Sequence, residues 1–265
     1  TLPLSQSFRF GERIAEEANF WLALLKSDMR LTGRADLDSR VVSTVSHPDA
    51  VLCRTNGAAV AELFAALDDN VKVGLVGGGN DLLAVARAAL DLKAGKPTEH
   101  EEFALFSAWD EVRDYADSGD DPHLAVLVKV VDAHGPPAII TAIQAAAHEQ
   151  NADRTLSTLH KAKGREWEEV RLAGDFSVPR TNEDGDTVLP SRDELMVSYV
   201  AVTRAKHTLG IGNLGWGRAW MGKPAVSAAP SGTAPAGAMP PQAVAPGTPA
   251  SAPPAHTRPW TRKLD

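Results

Sequence analysis

Apolar residues recur at three- and four-residue spacing from Ile14 through Ala15, Ala18, Trp21 and Leu22 to Leu25, which predicts an amphipathic helix starting near Glu12. Leu2 and Leu4 before it suggest the end of a short strand. Ala50-Val51-Leu52-Cys53 is an unbroken apolar run that ends in Arg54-Thr55-Asn56, the pattern of a buried strand. A helix is expected next, over 58–67, with Asn56 as its N-cap. Val71 to Val76 alternates weakly and meets Gly77-Gly78-Gly79. Helices are then predicted over 81–93, 101–118, 122–133 and 136–149, separated by Gly95, Pro97, Gly119, Pro122 and Gly135-Pro136-Pro137. Leu156 and Thr158 alternate with smaller or polar residues, and Val170, Leu172 and Ala173 form a second short run ending at Gly174; both read as strands. The polar stretch 177–192 turns at Asn182-Glu183-Asp184-Gly185. A helix over 193–206 then leads into a strand over 208–211.

From Lys223 onward no hydrophobic period survives. More than half of the chain's 18 prolines lie there among Ala, Ser and Gly, so 223–265 is expected to be a disordered Pro/Ala-rich tail. Its end, Arg258-Pro259-Trp260-Thr261-Arg262-Lys263, combines an aromatic ring with cations; an inert end is expected, with a docking peptide or a weak nucleic-acid contact as the alternatives.

The chain has 265 residues, enough for one large domain, or a medium and a small one, with a substantial core. No run of eighteen apolar residues occurs, so no membrane span is expected. The opening TLPLSQSFRF has neither an initiating Met nor the form of a signal peptide and is expected to lie in mid-protein. Cys53 is the single cysteine, which excludes an internal disulfide and a cysteine-rich zinc site and fits a cytoplasmic setting. In an apolar strand it reads as a small core residue.

The net charge of −7 argues against a polyanion-binding chain, because phosphate neutralisation supplies most non-specific affinity for nucleic acid. Position changes that picture. Glu99, Glu101, Glu102, Asp110, Glu111, Asp114, Asp117, Asp120 and Asp121 crowd one segment. The cations of His160-Lys161-Ala162-Lys163-Gly164-Arg165-Glu166 form a separate patch, and local potential decides where a polyanion lands. Taken alone, that stretch reads as a solvated basic turn between two strands.

Its wider context carries more. Thr158-Leu159-His160-Lys161-Ala162-Lys163-Gly164-Arg165-Glu166-Trp167 resembles motif V of UvrD/Rep-type superfamily 1 DNA helicases, with Arg165 where an apolar residue is usual. Tyr199-Val200-Ala201-Val202-Thr203-Arg204-Ala205-Lys206 resembles motif VI, although Leu195 and Met196 stand where two arginines are common. Gln6-Ser7-Phe8-Arg9-Phe10-Gly11 resembles motif IV, particularly in the F-box DNA helicase branch. Val51-Leu52-Cys53-Arg54-Thr55-Asn56 is similar to a further element of the family. Three motifs in order, over about residues 1–215, make the resemblance specific.

The resemblance implies a RecA-like α/β domain of the P-loop NTPase type, the second motor domain, over 1–80 and 151–215, with a small helical insert over 81–150. No Gly-x-x-x-x-Gly-Lys-Ser/Thr and no Walker B Asp-Glu pair occurs, so half an active site is expected. The glycine run 77–79 is read as the entry to the insert rather than a phosphate loop, and Trp109 and Tyr115 as core residues rather than base-stacking platforms, since acids surround them. Phe8 would stack on the adenine of ATP, Arg9 and Arg204 would reach the γ-phosphate as the catalytic arginines, and Glu166 would meet the ribose. Arg54, Asn56, Thr158, His160, Lys161 and Lys163 would face single-stranded DNA. Magnesium ligands would come from the missing first RecA-like motor domain, in the same protein or a separate chain; no metal ligands are assigned here, and no membrane partner. The implied activity is an ATP-dependent DNA helicase of 3′-to-5′ polarity, inactive as this chain alone. A helicase–nuclease, or a stand-alone DNA-binding or regulatory module derived from a helicase half, is the alternative.

Overall fold

The computed structural model describes residues 6–119 and 121–227. Leu2, Leu4, Asp120 and the tail beyond 227, Trp260 included, lie outside the described residues.

Strand β1 (Gln6–Gly11) runs directly into α1 (Glu12–Leu24) and pairs in parallel with β2 (Thr32–Arg34). The central sheet is six-stranded and wholly parallel. Its members are β3 (Arg40–Val42), β4 (Ala50–Cys53), β5 (Val73–Leu75), β6 (Arg154–Thr158), β7 (Trp167–Leu172) and β10 (Ala205–Gly210), in the order β3-β10-β7-β4-β6-β5. Parallel sheets are covered on both faces, and β4 shows how one run serves both. Val51 and Cys53 enter the core on the side of α2 (Asn56–Asp68), while Leu52 enters the core that α1 builds. Alternation along the strand divides them. Cys53 is fully buried, as its sequence context predicts.

Four helices lie between β5 and β6: α3 (Asn80–Lys93), α4 (Trp109–Asp117), α5 (Pro122–His134) and α6 (Pro136–Gln144). They share one hydrophobic core with α2 and with the β4, β5 and β6 side chains on that face. Gly57 lets α5 approach α2: a Cβ there would meet the backbone N of Leu127 at 2.7 Å. The run Gly77-Gly78-Gly79 takes positive φ at all three residues (70°, 71° and 73°), and α3 begins directly after it. Only glycine adopts this conformation without strain, so the run serves as a backbone turn. α5 and α6 are apolar, but they meet at 92° at Gly135 and bury their apolar faces; no single described helix is long and apolar enough to cross a membrane.

A short hairpin, β8 (Arg180–Thr181) with β9 (Thr187–Val188), closes over the expected Asn182–Gly185 turn. α7 (Arg192–Val202) follows, and α8 (Trp216–Trp220) ends the described helices. Phe20, Trp21 and Trp216 pack edge to face beside α8, and Arg218 donates to the buried Glu17 at 2.9 Å. Burial pushes the Glu17 carboxyl up, against the pull of Arg218.

The structure corrects several sequence-based expectations. Residues 223–227, assigned to the tail, are tied to the domain: Val226 packs on the α1 core and the Ser227 carbonyl accepts from the Ser43 amide at 3.0 Å. The N-cap of α2 is Thr55, whose hydroxyl accepts from the Ala58 amide at 3.1 Å, not Asn56. α4 begins at Trp109 rather than 101, because Glu111 turns back to accept from the Ser107 amide at 2.7 Å and defines the start. α6 stops at Gln144, since the Ala147 amide bonds to the Val73 carbonyl on β5. α7 ends at Val202, where the Thr203 hydroxyl and the Arg204 Nε take up the Val200 carbonyl, and Arg204 sits in the tight connection to β10.

Candidate functional site

Two clusters of the sequence-predicted residues form, one at each end of the β6–β7 connection. The first gathers β1, the end of that connection and the α7–β10 corner. In β1, Phe10 is buried and Phe8, two residues before it, is 72% exposed. Arg9 between them donates from Nε to Glu166 at 2.5 Å and from Nη1 to the Thr203 carbonyl at 2.9 Å. Lys206 reaches the other oxygen of Glu166 at 3.3 Å. Arg204 folds back on its own corner, donating to the Val200 carbonyl at 3.0 Å, the Thr203 hydroxyl at 2.9 Å and the Arg165 carbonyl at 3.4 Å.

The electrostatics follow from that crowding. Burial first, and the charge of Arg9 second, push Arg204 down to about 10, so it stays cationic at neutral pH but gains from any nearby anion. The hydrogen bond from Arg9 holds the Glu166 carboxyl below the ordinary range, outweighing its modest burial. Burial raises the Tyr199 phenol, with Arg204 and Arg9 pulling it back. Three cations thus gather around Glu166 beside a solvent-facing aromatic ring, Lys206 being shared with Glu168 at 3.1 Å. That composition fits a polyanion attached to a flat base.

The second cluster lies where β4 and β6 end, at the carboxyl edge of the parallel sheet, the edge at which open α/β sheets present ligand crevices. Arg54, Asn56, Thr158, His160 and Lys161 line one groove of about 890 Å³ there, and the helices after β5 form its other side. Sequence reasoning expected these five together with Lys163. Lys163 is exposed and does not line the groove.

Most of the groove's donors already hold carboxylates of this chain. Arg54 grips Glu194 through Nε and Nη2, the shortest contact being 2.7 Å. Asn56 donates to Glu102 at 2.9 Å, and Lys161 pairs with Asp81 at 2.8 Å. Arg165 pairs with Glu149. The expected separate basic patch is therefore corrected: Asp81, Glu102 and Glu149, from between β5 and β6, reach across to it. The Arg165–Glu149 pair also accounts for a cation at a position usually apolar in motif V.

Sequence reading missed three supporting residues. Asp175 accepts from the amides of Arg54 and Thr55 at 3.1 and 2.7 Å and from the Thr55 hydroxyl at 2.9 Å, fixing the β4–α2 corner. Its signal was an acid directly after the Gly174 that ends a strand. Glu194, half-buried but held below the ordinary carboxylate range by Arg54 and Ser177, had no local signal, since its partner lies 140 residues away. Lys206 was readable as the last residue of motif VI. Among the described residues, no group of three His, Cys, Asp or Glu side chains is placed to hold a metal ion.

Comparison with known sequences bears on both clusters. Residues 114–213 match the family model of the UvrD-like helicase C-terminal domain, a window that contains Thr158–Trp167 and Tyr199–Lys206. The chain is 26% identical over 235 residues to F-box DNA helicase protein 1 of Schizosaccharomyces pombe, and 28% identical over 237 residues to F-box DNA helicase 1 of Gallus gallus. Each alignment covers 78% of this chain and only 27% and 23%, respectively, of the relative. The resemblance found in the motifs is thus the one that whole-sequence comparison returns.

Proposed function

From a chain whose residues 114–213 are similar to the UvrD-like helicase C-terminal domain, we propose that it forms the second motor half of an ATP-dependent DNA helicase or translocase of 3′-to-5′ polarity. The observation that carries this reading is the β6–β7 connection: His160 and Lys161 at its start line the groove, and Arg165 and Glu166 at its end join Arg9 and Arg204.

In this reading Phe8 offers its face to adenine, and Arg9 and Arg204 approach the γ-phosphate held by a first RecA-like domain, in the same protein or a separate chain. Glu166 positions Arg9 and, once ATP has drawn Arg9 away, is free to meet the ribose. Magnesium would arrive with ATP and take its ligands from the first domain. Bound ATP supplies the phosphoryl group whose developing charge two guanidiniums stabilise. Arg54, Asn56, Thr158, His160 and Lys161 hold the phosphate edge of single-stranded DNA, Lys163 adds an exposed cation beside them, and His160 couples the two clusters.

The chain alone should release no phosphate from ATP, even with saturating single-stranded DNA. With the first motor domain supplied, Arg204→Ala should slow hydrolysis by on the order of a thousandfold. The same change should leave DNA affinity without nucleotide nearly intact. His160→Ala should permit both ligands to bind while DNA no longer fully accelerates turnover. Turnover by the purified chain alone that disappears with Arg204→Ala would overturn the half-site reading.

A further inference from the structure

The groove has two unlike walls. One carries the donors Arg54, Asn56, His160 and Lys161; the other carries Leu105, Phe106 and Tyr115 together with Glu101 and Glu102. Leu105 is 94% exposed and Tyr115 44%, so the wall presents apolar surface to water. Tyr115 was expected in the core on sequence grounds. α4 instead turns Trp109, Val112 and Ala116 inward, and Tyr115 projects from the edge of that stripe. Phe106 packs partly against the core and holds its ring centroid 5.7 Å from that of Tyr115, with the planes inclined at 54°.

We propose that this wall is a base-stacking face: Tyr115 and Phe106, extended by Leu105, receive the bases of a single strand whose phosphates lie on the opposite wall. The inference rests on the reading of the groove as a nucleic-acid track and assigns the strand's orientation within it. A single strand has one anionic edge and one flat aromatic edge. Glu101 repels the first from the Tyr115 wall, and the donors opposite attract it once it displaces Glu102 from Asn56 and Asp81 from Lys161. Stacking on an aromatic ring is open to every base, so the wall confers affinity without sequence preference. A duplex keeps its base faces stacked inside and gains nothing from it, so the wall selects single strands.

The test uses the full chain and fluorescence anisotropy with two labelled strands of equal length, oligo-dT and its abasic counterpart. The wild type should bind oligo-dT roughly tenfold more tightly than the abasic strand, within the range of one base–aromatic stack. Tyr115→Ala should erase that preference, leaving abasic affinity and the salt slope unchanged, while Tyr115→Phe should keep it. Leu105→Ser, at a position fully in solvent, should reduce the preference without touching the fold. Equal binding of both strands by the wild type, with Arg54→Ala still weakening both, would overturn the stacking wall and leave the track standing. Binding of neither strand would overturn both.

Discussion

Replacing Glu194 by Gln should destabilise the chain and tighten its hold on single-stranded DNA at the same time. The Arg54 guanidinium meets Glu194 at 2.7, 3.1 and 3.3 Å, and Ser177 donates to the same carboxylate at 2.8 Å. The two side chains are only 23% and 17% exposed, so the pair escapes much of the screening that makes surface ion pairs nearly worthless. Glutamine keeps the shape and one acceptor oxygen but loses the charge, which should cost about 1–2 kcal/mol. For a domain of this size, that lowers Tm by roughly 2–8 °C. The same loss favours DNA, because a phosphate approaching Arg54 must first displace Glu194. Removing the competitor should tighten binding on the order of fivefold. Arg54→Ala should instead weaken binding to all sequences and reduce the salt slope of log K by about 0.7, one phosphate contact on a single strand. Urea melts and anisotropy titrations across a salt series read both effects. Weakening of DNA binding by Glu194→Gln to the level of Arg54→Ala would refute the competition and make Glu194 a support that Arg54 needs.

Three further outcomes test the packing. Asp132 accepts from Lys93 and the Trp109 indole at 2.8 Å and from Arg113 at 2.9 Å, joining α3, α4 and α5. These donors outweigh its burial and hold its carboxyl well below the usual range. It therefore contributes stability above the ordinary Asp pKa of about 4 that is lost as pH falls further, and Asp132→Asn should cost about 1–2 kcal/mol at pH 7 and flatten the acid limb of a stability–pH curve. Gly57→Ala should cost roughly 1–3 kcal/mol in a urea melt, since its Cβ would meet the Leu127 backbone at 2.7 and 2.8 Å and α5 must move as a body. Burial pushes the Cys53 thiol well above its ordinary range, so its labelling by a thiol reagent should follow the global unfolding rate, not the rate of an exposed thiol.

Much of this was legible in the sequence because it is local. The α1 stripe, the apolar run of β4 and the glycine turn before α3 are each fixed within a dozen residues, and α3 and α5 fall where their Gly and Pro punctuation puts them. What escaped was set by distant partners. Tyr115 reads as core on composition, and only the packing of α4 shows that its neighbours took the inward positions. The neutralisation of the motif V cations depends on Asp81 and Glu149, which the chain brings back from the segment between β5 and β6. The extent of α7 escaped for a local reason: a hydroxyl and a guanidinium three and four residues on take up the Val200 carbonyl, which helical periodicity does not register.

The β6–β7 connection has a mechanical consequence. Thr155 and Val170 both stand level with Ala50, so the chain must pass from the carboxyl end of β6, beneath or above β4, to the amino end of β7. With about 3.3 Å per strand residue and 4.8 Å per strand spacing, that path is roughly 20 Å. The connection is wound into turns where the Ala162 amide bonds to the Thr158 carbonyl and the Arg165 amide to the Ala162 carbonyl. Fully extended, the residues from Thr158 to Trp167 could span about 30 Å, so the two turns take up the spare length. Its own Leu159 and Ala162 side chains are buried and stop it from bowing outward. While those turns hold, it is a strap anchored at both ends, and a displacement of Glu166 is passed on toward His160. Extra glycines spliced into it would act as a clutch, leaving both ends intact and disconnecting one from the other.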